Sequence, residues 1–504
     1  MDLVGAQAVL ATYYVVLGIL FVYGIHRLLL VGLYYRSRHR LTRLVPEPEE
    51  WPLVTVQLPL FNEMYVANRL IDAVCRFDYP PDRLEIQVLD DSTDETRQLV
   101  AHRVAHHRQR GIRIHHLHRA DRRGFKAGAL EAGFERAQGD LLAVFDADFV
   151  PEPDFLKRTV PSFADPQIGM VQARWEHINR RYSLLTRIQA IFLDGHFVIE
   201  HAARNDSGRF FNFNGTAGIW RRQAILDAGG WQHDTLTEDL DLSYRAQLAG
   251  WRFLFKTRVT APAELPVDVN AFKLQQFRWA KGSVQTARKL LSTILHAPIP
   301  FRVKLEAAVH LTNNTAYLLM LVLSLLVFPA MFLRRGTDPW ILLYLDLPLF
   351  IGATGSVVLF YVLSQKAVNP DWRREIRLIP SLMGLGIGLS VNNSRAVLSG
   401  LFRQGGEFER TPKYRIEATD DNWRDKHYRV AGNLSVEIER ALAVYSVGCF
   451  VLAWQLEMWL SLPFLYLFVH GYVYMALLSV APDRILQLGS RRGHRAADHR
   501  TAES

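Results

Sequence analysis

Three pairs of carboxylates, one Gln-x-x-Arg-Trp run and one basic loop hold the side chains that could do chemistry. Asp90 and Asp91 follow the apolar run 86–89. At the carboxyl end of a strand in an open α/β sheet they would face the ligand crevice and suit the hydroxyls of a nucleoside. The plainer role is that Ser92 or Asp94 caps the next helix. Asp146 and Asp148 end the run 141–145 and, two apart in extended chain, point the same way. Together they offer hard oxygen ligands for Mg²⁺ or Mn²⁺, with nucleotide phosphates completing the shell. Glu238 and Asp239 open a helical stretch. They are either acids favoured by the helix dipole or, at Asp239, a general base beside an acceptor hydroxyl. Gln275, Arg278 and Trp279 combine a partner for diphosphate with a stacking surface for sugar, unless the Trp simply packs into a core. In the basic loop 119–128, Lys126 is placed to reach phosphate near a helix start. There is no Walker A pattern and no Cys/His cluster with zinc spacing; the histidines between 102 and 118 are scattered and are expected on the surface.

These residues need a scaffold, and the runs that flank them supply one. Short apolar runs at 54–58, 86–89, 112–114 and 141–145 alternate with helical stretches near 64–76, 92–107 and 126–138. That alternation predicts an α/β domain with a parallel sheet and crossover helices.

Outside this domain the chain looks like a membrane protein. Leu3 to Ile25 carry no charge and are long enough to cross a bilayer. Arg27, Arg36, Arg38, Arg40 and Arg43 follow, which places the next segment in the cytoplasm. Further uncharged runs cover 307–333 and 347–364; Lys366, Arg373, Arg374 and Arg377 then mark a return to the cytoplasm. The run 378–402 is expected to be interfacial or re-entrant, and 441–456 and 458–481 to go out and back. The chain thus divides into 1–45 (a transmembrane helix and basic flank), 46–300 (the cytoplasmic α/β domain), 301–402 (transmembrane and interfacial helices), 403–435 (a cytoplasmic loop), 436–484 (two transmembrane helices) and 485–504 (a basic cytoplasmic tail).

Composition agrees with this mixture. The 504 residues are 49% hydrophobic and 22% charged, and the mean hydropathy is +0.01. The 57 aromatic residues exclude a disordered chain. Two cysteines, Cys75 and Cys449, exclude a disulfide scaffold; both are expected to be free, buried thiols of a reducing compartment. The net charge of +9 gathers at membrane boundaries rather than on a reading element, so a lipid bilayer is an expected partner and nucleic acid is not.

Taken in order, Asp-Asp, Asp-x-Asp, Thr-Glu-Asp and Gln-x-x-Arg-Trp resemble the processive inverting glycosyltransferases of family 2, the cellulose, chitin and hyaluronan synthases. The stretches 57–63, 87–94 and 213–218, with Arg221, look most like the cellulose synthase-like A and C branches, which make β-1,4-mannan or glucomannan and the glucan backbone of xyloglucan. The resemblance covers roughly residues 50–430. It implies a Rossmann-like GT-A domain joined to an α-helical transmembrane domain in a multi-pass protein of the cell (inner) membrane. It implies a UDP-glucose or GDP-mannose donor, a growing glycan acceptor and a divalent metal at Asp146 and Asp148; accessory export proteins stay open. Asp239, with Asp90 and Asp91, makes up the catalytic carboxylate set. Asp90, Asp91, Lys126, Asp146, Asp148 and Arg278 would hold the nucleotide sugar, and Asn214, Glu238, Gln275 and Trp279 the acceptor. The segment 407–413 resembles the Phe-x-Val-Thr-x-Lys gating loop, so Thr411 and Lys413 join the nucleotide set; Arg410 stands where that motif has Val. Two rivals stay open: a non-processive transferase acting on a membrane lipid, and a nucleotide-binding transporter or scaffold.

Overall fold

The computed structural model describes residues 3–37, 46–334, 340, 342–428 and 435–480. Arg38, Arg40 and Arg43 of the basic flank, most of the 334–339 loop and the basic tail lie outside the described residues.

Seven strands form one sheet: β1 (Val54–Leu60), β2 (Leu84–Asp90), β3 (Ile114–His118), β4 (Leu141–Val144), β5 (Ile168–His177), β6 (Gly218–Arg221) and β7 (Arg252–Ala263). Their order is β3-β2-β1-β4-β6-β5-β7. The first four are parallel, as the alternation of runs and helices predicts, and β5 pairs β7 in parallel. The sheet as a whole is mixed, because β6 lies antiparallel between β4 and β5. β6 returns from a long helical excursion and is only four residues long, too short to show its direction in the sequence.

Local chemistry explains the central strands. Val54, Val56 and Leu58 point into one buried apolar layer, while Leu142 and Val144 help build the layer on the opposite face. Pro59 sits within β1, but β4 pairs only as far as Gln57, so the missing N–H removes no rung on that side. The crossover helices are Ala67–Val74, Thr96–Gln109 and Phe125–Arg136. Each parallel strand therefore delivers its carboxyl end to one edge of the sheet.

Among the described residues four helices, Val4–Ser37, Thr315–Leu333, Tyr344–Val368 and Leu462–Ser479, are long and apolar enough to cross a membrane. The run 441–456 lies in the helix Ser435–Gln455, which carries Glu437, Glu439 and Arg440 and is not among the four. The run 378–402 forms two short helices, Ile379–Gly388 and Ser390–Phe402. The second packs along the helix Val269–His296, so the membrane helices and the α/β domain share an interface. The first approaches Leu462–Val480 through Gly384 and Gly471: a Cβ on Gly471 would come within 2.5 Å of the Gly384 carbonyl. At Gly195–His201 the helix that begins at Leu184 widens into a π-helix before resuming at Ala202.

Cys449 is free and buried; Cys75, also free, is only partly covered. The histidines of 102–118 do not all lie free on the surface. His107 is buried against Asp72 at 2.7 Å, and His116 bonds Asp90.

Candidate active site

The carboxyl edge of the sheet gathers most of the singled-out residues. Asp146 follows β4, and its backbone N–H donates to the Thr216 hydroxyl at 2.8 Å. Lys126, in the first turn of Phe125–Arg136, donates to Asp146 Oδ1 at 2.5 Å and to the Gly215 carbonyl at 2.9 Å. Gly215 has φ +78, and a Cβ there would lie 3.1 Å from Asp239 Oδ2 and 3.3 Å from Lys126 Nζ. A bare, left-handed residue is what lets these charged groups converge.

Asp239 stands in the first turn of Glu238–Leu248, and its Oδ1 accepts the Leu240 N–H at 2.8 Å. Burial, then the neighbouring Glu238 carboxylate, push its carboxyl up to about 7. That suits a proton acceptor near neutrality. Asp239, Asn214 and Trp279 line one cavity of about 1280 Å³, together with Trp175, His196 and Gln276. The cavity continues between the membrane-length helices, where Leu17, Leu323 and Gly386 line it, and reaches Arg334 and Trp459.

Arg278 faces the loop 403–428. It donates to the Glu409 carbonyl and to Thr411 Oγ1 at 3.0 Å, and lies 4.4 Å from the Phe408 ring centroid. Burial lowers its guanidinium to about 10, against the pull of Glu238 and Asp146. Lys413 pairs with Asp148 at 2.7 Å and also donates to the Glu264 carbonyl. Arg410 pairs with Glu63 at 3.1 Å and covers the Tyr428 ring at 4.0 Å. Burial pushes Glu63 up to about 8 despite Arg410.

Other expected site residues are turned toward the protein. Asp90 is fully buried; it accepts from the Ser92 N–H and bonds His116 Nε2, both at 2.8 Å. Burial opposes ionisation, but these hydrogen bonds outweigh it and hold the carboxyl below its usual range. Asp91 takes a two-pronged bond from Arg119, at 2.8 and 2.6 Å. Gln275 is half-buried and, among the described residues, it is its neighbour Gln276 that lines the cavity. Asp146 and Asp148 each spend one oxygen on a lysine and keep the other, so each offers one hard oxygen to a cation, although no group of three or more His, Cys, Asp or Glu side chains gathers into a metal site among the described residues.

Residues 52–282 match the family described as "Glycosyltransferase like family 2". This domain belongs to that family. Across 253 residues the chain is 46% identical to the probable glucomannan 4-beta-mannosyltransferase 7 of Oryza sativa subsp. japonica, covering 49% of this chain and 43% of that protein. Over 250 residues it is 46% identical to glucomannan 4-beta-mannosyltransferase 2 of Arabidopsis thaliana, covering 49% and 47%. The chain thus spans a little under half the length of these relatives. The structure of the mannosyltransferase PcManGT from Pyrobaculum calidifontis, in complex with GDP-Man and Mn²⁺, superposes with a TM-score of 0.50 at 20% identity, over 76% of this chain and 99% of that one. That likeness shows the fold, a GT-A-like mixed sheet.

Several residues of the glycosyltransferase domain carry no mark in the sequence that singles them out. Trp175, two residues before the end of β5, lines the cavity. His196 and His201, on the π-helix, grip the Asn214 carboxamide at 3.1 and 2.7 Å. Burial holds His201 well below its ordinary value, so it accepts the Asn214 amide proton as a neutral ring. Glu63 had a signal, since it closes the stretch 57–63 that carries the family resemblance. His196 and Trp175 had none, because only the fold brings them to Asn214 and Trp279.

Proposed function

We propose that the chain is a membrane-embedded inverting hexosyltransferase that extends a β-linked polysaccharide from a nucleotide sugar and passes the product into the cavity between its helices. The observation that carries this reading is the position of Asp239. A carboxylate tuned to about 7 stands at one end of a cavity of about 1280 Å³ that leads from the family 2 domain into the membrane helices. The likeness to proteins named glucomannan 4-beta-mannosyltransferases favours mannose, and GDP-mannose, over UDP-glucose.

In this reading Asp239 takes the proton of the acceptor hydroxyl as its oxygen attacks the anomeric carbon from the far side. The bond from that carbon to the phosphate oxygen breaks, and the nucleoside diphosphate leaves. Arg278, Lys126 and Lys413 neutralise the diphosphate; Trp279, Trp175 and Asn214 hold the acceptor's terminal sugar. A divalent cation held by Asp146 and Asp148 would supply charge stabilisation to the leaving group. Asp90 and Asp91 act on the nucleoside side, through His116 and Arg119 as much as directly. The catalytic domain faces the cytoplasm, as Lys366, Arg373, Arg374 and Arg377 on its side of the membrane helices support.

The test is to offer the purified chain in lipid nanodiscs GDP-mannose and UDP-glucose in parallel, with and without chelator, and to digest the product with linkage-specific hydrolases. Mannanase-sensitive polymer from GDP-mannose, lost in chelator, is expected. A single sugar on lipid, or no transfer with full nucleotide binding, overturns the reading in favour of one or other rival.

A further inference from the structure

Where the membrane-length helix Tyr344–Val368 meets the catalytic domain, the structure concentrates exposed cations. Lys366, Arg373, Arg374 and Arg377 are all exposed, within twelve residues of sequence. Arg181, from the catalytic domain, joins them with its side chain 84% exposed, 3.9 Å from Asp371. Trp372 sits among them, its ring centroid 6.0 Å from Lys366 Nζ and 5.6 Å from the Arg373 guanidinium. The other acid of the segment, Glu375, is buried and accepts from Arg187 at 3.0 Å, with Arg180 at 4.0 Å. Arg180 in turn shares Asp194 with Gln365. Glu375 thus pins the segment to the catalytic domain while its arginine neighbours point outward.

We propose that Arg181, Lys366, Arg373, Arg374 and Arg377, arranged around Trp372, form a binding surface for the headgroups of anionic phospholipids. Four cations face outward at the foot of a membrane-length helix, and the one exposed acid is spent on Arg181. An indole at that level sits where one end is apolar and the other wet. Leu184, three residues from Arg181, is 42% exposed and supplies apolar surface beside the charge. A soluble phosphate would gain from the charge alone; a lipid also satisfies the indole and the leucine, so the lipid is the occupant. This inference rests on the membrane placement of Tyr344–Val368 and is independent of which sugar is transferred.

The purified full chain is equilibrated in mixed micelles of phosphatidylcholine and phosphatidylglycerol, and retained lipids are counted by native mass spectrometry. Wild type is expected to enrich phosphatidylglycerol, and the enrichment to fall steeply between 50 and 500 mM NaCl. Each juxtamembrane cation contributes roughly fivefold in affinity, from ~1 kcal/mol per charge, so R373Q/R374Q should weaken retention by about thirtyfold. R97Q/R110Q, two exposed cations on and just after the helix Thr96–Gln109, should leave it unchanged. Equal retention of the two lipids, a salt-independent enrichment, or equal losses in both variants overturns the proposal. Displacement by millimolar glycerol phosphate reassigns the surface to free phosphate and overturns it as well.

Discussion

Asp239 differs from an ordinary helix-capping acid in lining the cavity and in having a carboxyl shifted toward neutrality. Its carboxyl is pushed up to about 7 by burial and Glu238, so the ionised, proton-accepting form grows as pH rises through that value. Transfer should therefore climb with pH to a plateau above about 7. Asp239→Asn should abolish that profile and cut transfer by ~10²–10⁴-fold at unchanged donor affinity, measured by product formation and nucleotide titration. The stability sign runs the other way. A raised acid favours the fold while protonated, and that contribution is lost as pH rises from the unfolded carboxyl range through about 7. The Asn variant should thus gain in thermal stability relative to wild type at pH 8 more than at pH 5. A variant with normal transfer would remove Asp239 from the reaction. At this scale the carboxylates were legible because they follow apolar runs or open a helix. Their partners were not: His116 and Arg119 lie 26 and 28 residues along from Asp90 and Asp91, and nothing local links them.

Helices and strands were legible where a pattern repeats. β4 announces itself as an unbroken apolar run because both faces of the central sheet are covered, while β1 and β2 read through as apolar runs despite the buried Thr55, Gln57 and Gln87. β3 was expected at 112–114 and runs instead from Ile114 to His118, a half-buried edge strand whose histidines mask its character. β5 went unread since its apolar half spans only 168–171, and Gln172, Arg174 and Glu176 break up the rest. The helix Val269–His296 shows what packing adds beyond pattern. Its Lys273 is buried and donates to Glu439 and Ser479, both at 2.6 Å, so one ammonium ties the motif helix to the helices Ser435–Gln455 and Leu462–Val480. Breaking one partner of such a pair costs roughly 3–5 kcal/mol, while replacing both by apolar residues is far milder. Lys273→Met should lower the unfolding temperature markedly and disturb transfer with it. K273M/E439L should regain most of the lost stability. Simple additivity of the two single substitutions would show that the pair does not couple these helices.

The whole molecule joins a sheet edge to a cavity between membrane-length helices. Each of the four membrane-length helices overlaps an uncharged run of the sequence, but their enclosing of a cavity that begins at Asp239 emerges only from packing. Gly386 tests what that cavity carries. It lines the cavity, and a Cβ there meets nothing within 4 Å, so a larger side chain projects into open space. Gly386→Trp should leave nucleotide affinity and the first transfer intact while shortening the product, read by gel sizing of radiolabelled glycan. Product of unaltered length would show that it leaves by another route.

The π-helix at Gly195–His201 makes this site depend on the number of residues as well as on their kinds. A wide turn holds its shape by carrying more residues per revolution than an α-helix. Side chains within it can change and the pitch survives. Loss of one residue lets the segment relax to ordinary pitch, which keeps His196 and His201 on one face but narrows the turn from which both reach Asn214. Deletion of Val198 should therefore lower transfer in a protein that still folds, by shifting both histidines against Asn214, whereas Val198→Ala, with the count intact, should be tolerated. Relatives of this chain could then drift in composition along this turn while keeping its length, and an insertion or deletion there would mark a change in what the acceptor end accepts.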